Sequence, residues 1–178
     1  TETSPVISVN SLEFNRPGST GKVLPNVQVR IENFETGEEC KTREVGRILV
    51  KGDSVMKGYY DDPELNAEAL VDGWYNTGDM GFFDEDNYLW HAGRFKRFAK
   101  VGGEMISLVK VENTLEKFLP VGVSCCVVEV SDEKKGSYIV ATVSKEVNKT
   151  EILRKMLNEL PIIALPRQFI VIKELPMM

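Results

Sequence analysis

The pattern of apolar residues changes near position 93, and this change most limits the folds open to the chain. Before it, the short segment Val27–Glu32 alternates apolar and polar residues, Arg47–Lys51 does so more loosely, and turns that contain Gly, Asn or Asp follow them. After it, segments with helical spacing alternate with strand-like runs. The sequence therefore predicts an α+β fold, with a β-rich first part and a compact α+β second part.

The formal charge changes sign at the same place. Residues 1–92 hold 8 Lys and Arg against 17 Asp and Glu, a net −9, whereas residues 93–178 hold 14 against 10, a net +4, which together give the chain's −5. The second part opens with four cations between Arg94 and Lys100. This run fits either a solvated basic strand edge or an anion site. Because the cluster is short and the whole chain is acidic, we do not expect a nucleic-acid partner.

Rare residue types exclude several classes of function. His91 is the single histidine, which excludes multi-histidine metal sites and leaves one candidate base; we expect local hydrogen bonds at a strand end to satisfy it. The odd cysteine count, without C-x-x-C spacing, fits a reducing, cytoplasmic setting. Cys125 and Cys126 are expected to be core residues of one strand. No stretch reaches the ~18 apolar residues of a membrane helix.

Local signals place the elements that carry the motifs. Three helices are predicted: one after the N-cap Asp62, one after the N-cap Ser107 and one after the N-cap Thr150. The segment Gly73–Asp79 is expected to be turn-rich. Strands are predicted over Met80–Phe83, Tyr88–His91, Val121–Val130, Ser137–Val143 and Phe169–Ile172, with a turn over residues 132–136 between the third and the fourth.

One carboxylate stands out as a candidate ligand-binding group. Asp79 ends the segment Trp74–Asp79, and an ionised Asp can accept hydrogen bonds from two vicinal ribose hydroxyls. By itself an Asp after a Gly is more often part of a turn. Arg94 follows a short distance on, and a guanidinium suits ribose and phosphate oxygens, so the pair suggests a nucleotide. Gly18–Lys22 is too short for a phosphate-binding loop of the Walker type.

Several motifs in order carry a family resemblance. Five segments resemble motifs of the acyl-adenylate-forming superfamily of acyl-CoA synthetases, luciferases and peptide synthetase adenylation domains. They are Thr1-Glu2 and residues 45–52 (VGRILVKG), 56–60 (MKGYY), 75–79 (YNTGD) and 93–107 (GRFKRFAKVGGEMIS). The resemblance implies a distorted-barrel β-rich subdomain of the large AMP-binding domain over residues 1–95. It implies a mobile α+β C-terminal domain over residues 96–178.

A narrower resemblance rests on residues 1–10, on Lys96–Lys100 with Gly103–Leu108, and on Pro166-Arg167. These segments are similar to bacterial 2-acylglycerophosphoethanolamine acyltransferase/acyl-acyl carrier protein synthetases. The implied reaction uses ATP and Mg²⁺ to convert a fatty acid to acyl-AMP, and the phosphopantetheine thiol of acyl carrier protein then takes the acyl group. A lysophospholipid would be a further acceptor for the parent enzyme, which would be associated with the inner membrane. A fatty acyl-CoA synthetase is the alternative.

The resemblance also assigns roles to individual residues. Thr1 would contact the adenylate phosphate and Glu2 would hold Mg²⁺, while Asp79 would bind the ribose hydroxyls with Arg94 on ribose or phosphate. Three residues of the second part are assigned to the later half-reaction: Lys96 as the hinge, and Gly103 with Lys100 beside the pantetheine arm.

The resemblance implies that two elements of the enzyme lie outside these 178 residues. The phosphate loop would precede Thr1, and the adenylation lysine would follow Met178, so no catalytic residue is assigned and the chain alone is expected to be inactive. A hypothesis of another class is a non-catalytic module that docks an acidic carrier protein through the cations from Arg94 to Lys100.

Overall fold

A computed structural model describes residues 1–132 and 136–172 of the chain. They form two compact units, the first ending at Phe95 and the second beginning at Lys96. Strands predominate and the helices are short, so the predicted mixed α+β class is confirmed. Within the described ranges, no helix has the length and apolar character needed to cross a bilayer.

The first unit is built from antiparallel strands. Its elements are β1 Ser8–Val9, β2 Lys22–Val23, β3 Val27–Glu32, β4 Gly46–Gly52, α1 Pro63–Ala69, β5 Leu70–Val71, β6 Trp74–Phe83 and β7 Leu89–Arg94. The main sheet has the order β3-β4-β6-β5 with β7 also paired to β6, and β1 pairs with β2. The predicted strands β3 and β4 are confirmed, and α1 starts at Pro63 with Asp62 as its N-cap, as predicted.

Alternation along β3 and β4 forms the core of this unit. Val27 and Ile31 of β3, Ile48 and Val50 of β4 and Leu89 of β7 are buried together. Their neighbours in sequence point to the other face of the sheet, because successive strand side chains alternate. The period-two pattern of β3 therefore defines its buried face, whereas in β4 Leu49 on the opposite face is also buried.

The hairpin between β6 and β7 closes on a buried carboxylate, Asp84, which is 2% exposed. Its oxygens accept hydrogen bonds from Arg16 Nη1 at 2.6 Å, Trp90 Nε1 at 2.8 Å and the backbone amides of Tyr88 at 2.9 Å and Asp86 at 3.1 Å. Burial alone would raise the pKa of Asp84, but these donors together hold the pKa well below its usual range. The acidic turn predicted as a hairpin tip is thus held by a buried ionised group.

The second unit packs two helices on a five-stranded sheet. Its elements are β8 Phe98–Val101, β9 Glu104–Ser107, α2 Leu108–Glu116, β10 Cys125–Asp132, β11 Gly136–Val143, α3 Lys149–Met156 and β12 Gln168–Val171, with short 3₁₀ helices at Phe95–Arg97 and Ile162–Ala164. The sheet order is β10-β11-β8-β9, and β12 pairs with β11 in parallel. Val111, Leu115, Ile152 and Met156 of the helices pack on the sheet to form its core.

Three local predictions for the second unit need correction or lie outside the described residues. The N-cap of α3 is Asn148, not Thr150, because the Asn148 side chain accepts the Glu151 amide at 3.2 Å. Strand β10 begins at Cys125 rather than Val121, since the chain turns after Pro120, whose carbonyl accepts the Val123 amide. The Ser107 cap of α2 is confirmed. The centre of the predicted turn, residues 133–135, lies outside the described residues.

Two strand features of the structure differ from what the sequence predicts. The segment Gly73–Asp79 is not mainly turn, because β6 begins at Trp74 and runs through it. The hairpin of β8 and β9 was not predicted, because its turn residues Gly102 and Gly103 read as part of a motif rather than as a connection. Cys125 packs against the core as expected, and its burial raises the pKa of its thiol to about 12.

Candidate functional site

Asp79 lies where β6 departs from regular pairing with β4. The register passes from Leu49 opposite Asn76 to Arg47 opposite Met80, so three residues of β6 face Ile48. Thr77 fixes this bulge by accepting the Asp79 amide at 3.0 Å and donating to the Ile48 carbonyl at 3.0 Å. Bulges re-aim side chains, and here the bulge presents a carboxylate that is 23% exposed.

Asp79 is the centre of a cluster with Arg94 and His91. Its Oδ1 is 3.1 Å from Arg94 Nε and 3.2 Å from His91 Nε2. Arg94 also donates from Nη1 to the Thr77 carbonyl at 3.2 Å and is 67% exposed, so most of its guanidinium faces solvent. The sequence suggested the Asp79–Arg94 pair, and the structure brings these two residues together across β6 and β7.

His91 was expected only to be satisfied locally, and its contact with Asp79 was missed. No feature of the sequence signals this contact, because the spacing of His91 from Arg94 would place the two side chains on opposite faces of a regular strand.

A second set of contacts in the first unit involves Glu2, the predicted magnesium ligand. The Glu2 carbonyl accepts the Met56 amide at 2.8 Å, and Glu2 Oε1 is 3.5 Å from Tyr59 Oη. The motif at residues 56–60 therefore lies against Thr1-Glu2. Tyr75, the neighbour of Tyr59, is buried, and this burial raises the pKa of its hydroxyl, which a hydrogen bond with Tyr59 raises further. Thr1 itself is exposed, with its carbonyl accepting the Ser4 amide.

Glu2 fits the requirements of a magnesium ligand that works with substrate phosphates. A hydrogen bond from its own backbone amide lowers the pKa of Glu2, which keeps the carboxylate ionised at neutral pH. In residues 1–132 and 136–172, no group of three or more His, Cys, Asp or Glu side chains could hold a metal. Mg²⁺ usually takes one or two carboxylates together with phosphates and water, so Glu2 would supply a single ligand.

The predicted residues of the second unit lie near its start. Lys96 is exposed in the 3₁₀ helix Phe95–Arg97, at the first residue of the unit. Gly102 and Gly103 form the two-residue turn of the β8–β9 hairpin, with φ of +59° and +90°. Lys100 lies on β8, and its carbonyl accepts the Ser137 hydroxyl at 2.8 Å. A Cβ at Gly103 would meet no atom within 4 Å, so this backbone is open to a ligand.

The run of cations from Arg94 to Lys100 is divided between the two units. Arg94 belongs to the first unit and pairs with Asp79. Arg97 belongs to the second, where it donates to Glu112 at 2.9 Å and to the Val127 carbonyl at 3.3 Å. At least two of the four cations are thus engaged by neighbours within their own unit.

Comparisons with known proteins place this arrangement in a family. Residues 1–60 match the AMP-binding enzyme family, and residues 110–178 match the AMP-binding enzyme C-terminal domain. Among curated relatives, the indoleacetate–CoA ligase of Aromatoleum aromaticum is 34% identical over 99% of this chain and 35% of its own length. The long-chain-fatty-acid–CoA ligase of Bacillus subtilis is 44% identical over 64% of this chain and 20% of its own length.

Solved structures give the same result. The o-succinylbenzoate CoA synthetase of Bacillus subtilis, in complex with its acyl-adenylate intermediate, matches with a TM-score of 0.83 and 32% identity over 98% of this chain and 36% of that one. The chain belongs to the AMP-binding enzyme family, and the three relatives named above are CoA ligases or synthetases. It spans about a third of the length of the first of the curated relatives.

Proposed function

We propose that this chain is the part of an ATP-dependent acid–thiol ligase that holds the adenylate ribose and carries the mobile domain. In the first half-reaction a carboxylate oxygen attacks the α-phosphorus of ATP and expels pyrophosphate. In the second, a pantetheine thiolate attacks the acyl carbonyl and expels AMP. The observation that carries the proposal is the bulged Asp79 with Arg94 at 3.1 Å, in a chain of the AMP-binding family.

The residues of the first unit bind and orient the nucleotide. Asp79 accepts the ribose hydroxyls, and the exposed guanidinium of Arg94 lies beside it to contact ribose or phosphate. Thr1 contacts the adenylate phosphate, and Glu2 contributes one oxygen to Mg²⁺, which would neutralise phosphate charge when bound. Positioning and electrostatics of this kind are the main contributions a protein makes to phosphoryl and adenylyl transfer.

The residues of the second unit serve the thiol step. Lys96 is the hinge residue, since the boundary between the compact units falls directly before it. Rotation about such a point can exchange two catalytic arrangements. Gly103, with Lys100 nearby, would then face the pantetheine arm. The turn is suited to this because Gly103 leaves the backbone uncovered.

We propose CoA as the acceptor and a fatty acid as the acid, on the support of relatives named as CoA ligases. Acyl carrier protein is the second candidate, favoured by the net +4 of residues 93–178 and by the motif at residues 96–108. A carrier-protein ligase of that type would also transfer acyl groups to a lysophospholipid. Both acceptors present the same thiol, so the chemistry assigned to Gly103 holds for either.

Acceptor choice is tested in the full-length protein. We expect fatty-acid-dependent exchange of pyrophosphate into ATP, and thioester formation faster with CoA than with acyl carrier protein. A carrier-protein ligase would instead prefer the protein acceptor, and that preference would weaken as salt rises, because electrostatic docking is screened. Absence of exchange with every carboxylic acid tried would overturn the proposed function.

A Gly103→Ala substitution is expected to separate the half-reactions. The left-handed backbone at φ +90° costs a residue with a Cβ about 1–2 kcal/mol, and the methyl group would face the incoming arm. We expect thioester formation to slow about tenfold while pyrophosphate exchange stays within about twofold of wild type. The matched control is Gly37→Ala, which has φ +71° and equally open space in another turn. A similar effect of both substitutions on the thiol step would contradict a role for Gly103.

A further inference from the structure

The contact between His91 and Asp79 depends on an irregularity in β7 that the sequence motifs do not predict. Asp79 pairs with Arg94 and Met80 with Gly93, but Gly81 pairs with His91, so Ala92 is an extra residue opposite no partner. In a continuous ladder Ala92 would pair with Gly81 and His91 with Phe82. The imidazole would then point to the opposite face of the sheet from Asp79.

The residue opposite His91 is Gly81, at a place too crowded for any side chain. Gly81 has no side chain, and a Cβ there would lie 2.3 Å from the Trp90 carbonyl oxygen and 2.7 Å from Ile48 Cδ1. Nothing from that position stands between His91 and Asp79, two residues back along β6. Diagonal neighbours of this kind are within reach of long side chains across an antiparallel pair.

The chemistry of the contact fixes its direction. A carboxylate can only accept, so the imidazole must carry its proton on Nε2 to form a hydrogen bond with Asp79 Oδ1. Arg94 Nε approaches the same oxygen. Oδ2 of Asp79 has no hydrogen-bond partner within the part of the chain that the structure describes. The two donors on one oxygen thus leave the other available to a ligand.

We infer that His91 is a positioning residue for nucleotide binding: it fixes the rotamer of Asp79 so that the free oxygen faces the ribose hydroxyls. The inference rests on the proposed function, which assigns the ribose to Asp79. The bulge at Ala92 is the structural device that brings the imidazole there. Among the described residues, the polar contact of the His91 side chain is with the Asp79 carboxylate, and His91 takes no part in the chemical steps.

The test measures the affinity of the full-length protein for AMP and for 2′-deoxy-AMP and 3′-deoxy-AMP by calorimetry. We expect His91→Ala to weaken AMP binding about fivefold and to reduce the ratio of the affinity for AMP to the affinity for each deoxy analogue. We also expect it to raise the KM for ATP with kcat nearly unchanged. His91→Gln, whose amide can donate to Oδ1, should recover most of the affinity. If His91 were only structural, His91→Ala would leave the discrimination between AMP and its deoxy analogues unchanged, and His91→Gln would not restore affinity.

A double-mutant cycle separates failure of this inference from failure of the proposed function. If Asp79 binds ribose and His91 positions it, His91→Ala added to Asp79→Ala should cause no further loss. Loss with Asp79→Ala but not with His91→Ala would overturn the inference and leave the proposed function standing. No change with Asp79→Ala would overturn the ribose assignment itself. The unfolding midpoint of each variant, followed by tryptophan fluorescence, checks that the fold is retained.

Discussion

Replacing Asp84 with Ala is expected to lower the free energy of unfolding of the first unit by about 3 kcal/mol. The substitution leaves four donors without their acceptor, among them the guanidinium of Arg16 and the indole of Trp90. Removing one partner of a buried charged network costs about 3–5 kcal/mol, and a buried donor left unpaired about 1–3 kcal/mol. Asp84→Asn should be nearly as damaging, because its amide group would face donors.

The measurement is urea denaturation followed by tryptophan fluorescence. Both tryptophans, Trp74 and Trp90, lie in the first unit, so the signal reports that unit alone. Asp86→Asn is the matched control: Asp86 binds the same Arg16 at 2.6 Å but is 62% exposed. An exposed ion pair contributes about 0–1 kcal/mol, so equal losses for Asp84→Asn and Asp86→Asn would contradict the role given to burial.

The contribution of Asp84 also has a defined pH dependence. Its pKa is depressed in the folded state, so the stabilisation is fully present above the unfolded value of about 3.9 and declines as the pH falls below it. The difference in stability between wild type and Asp84→Asn should therefore shrink below about pH 4. A difference that stays constant down to pH 2.5 would show that the ionised form is not what stabilises the hairpin.

Replacing Asp79 with Ala is expected to weaken nucleotide binding about a hundredfold in the full-length protein. Two hydrogen bonds from ribose hydroxyls to a charged acceptor contribute together about 3 kcal/mol, which corresponds to that factor. The partners that Asp79 would leave, His91 and Arg94, are 47% and 67% exposed and can be hydrated instead, so the substitution should change the unfolding midpoint little. Binding and stability should therefore separate in this variant.

The measurement is AMP affinity by calorimetry together with fatty-acid-dependent pyrophosphate exchange. The control is Glu64→Ala, which removes one carboxylate from an exposed position in α1 and should leave both readouts unchanged. A loss of affinity no greater than that of the control would mean that Asp79 makes no contact important for binding. Comparable losses for AMP and its deoxy analogues would exclude the ribose as the group recognised.

Local signals predicted the regular parts of the fold because each depends on neighbouring residues. The alternation of β3 defined its buried face, and Asp62 and Ser107 cap helices as their side-chain chemistry requires. The errors arose where a competing signal was stronger. Asn148 caps α3 in place of Thr150, and the glycine in Gly73–Asp79 suggested a turn where β6 continues with a bulge.

The candidate site was only partly open to prediction for the same reason. Asp79 and Arg94 could be chosen from residue type and from the family motif, because each carries its chemistry in its own side chain. His91 could not, because its place beside Asp79 depends on pairing between distant residues and on one unpaired position, Ala92. Bulges have no composition of their own, so counting residues along a strand misassigns every side chain beyond them.

The division of the sheets also bears on how the chain folds as it is synthesised. Every strand of the first sheet, β3 to β7, is complete once Arg94 has been made, and no strand of one unit pairs with a strand of the other among the described residues. The first unit can therefore fold while the second is still being translated. The second unit cannot complete its sheet until its last strand has been made. Strand β11 pairs both with β8, near the start of the unit, and in parallel with β12, which follows α3. An interrupted or slowed ribosome beyond Arg94 would leave a folded β-rich unit joined to an unfinished, apolar and aggregation-prone sheet.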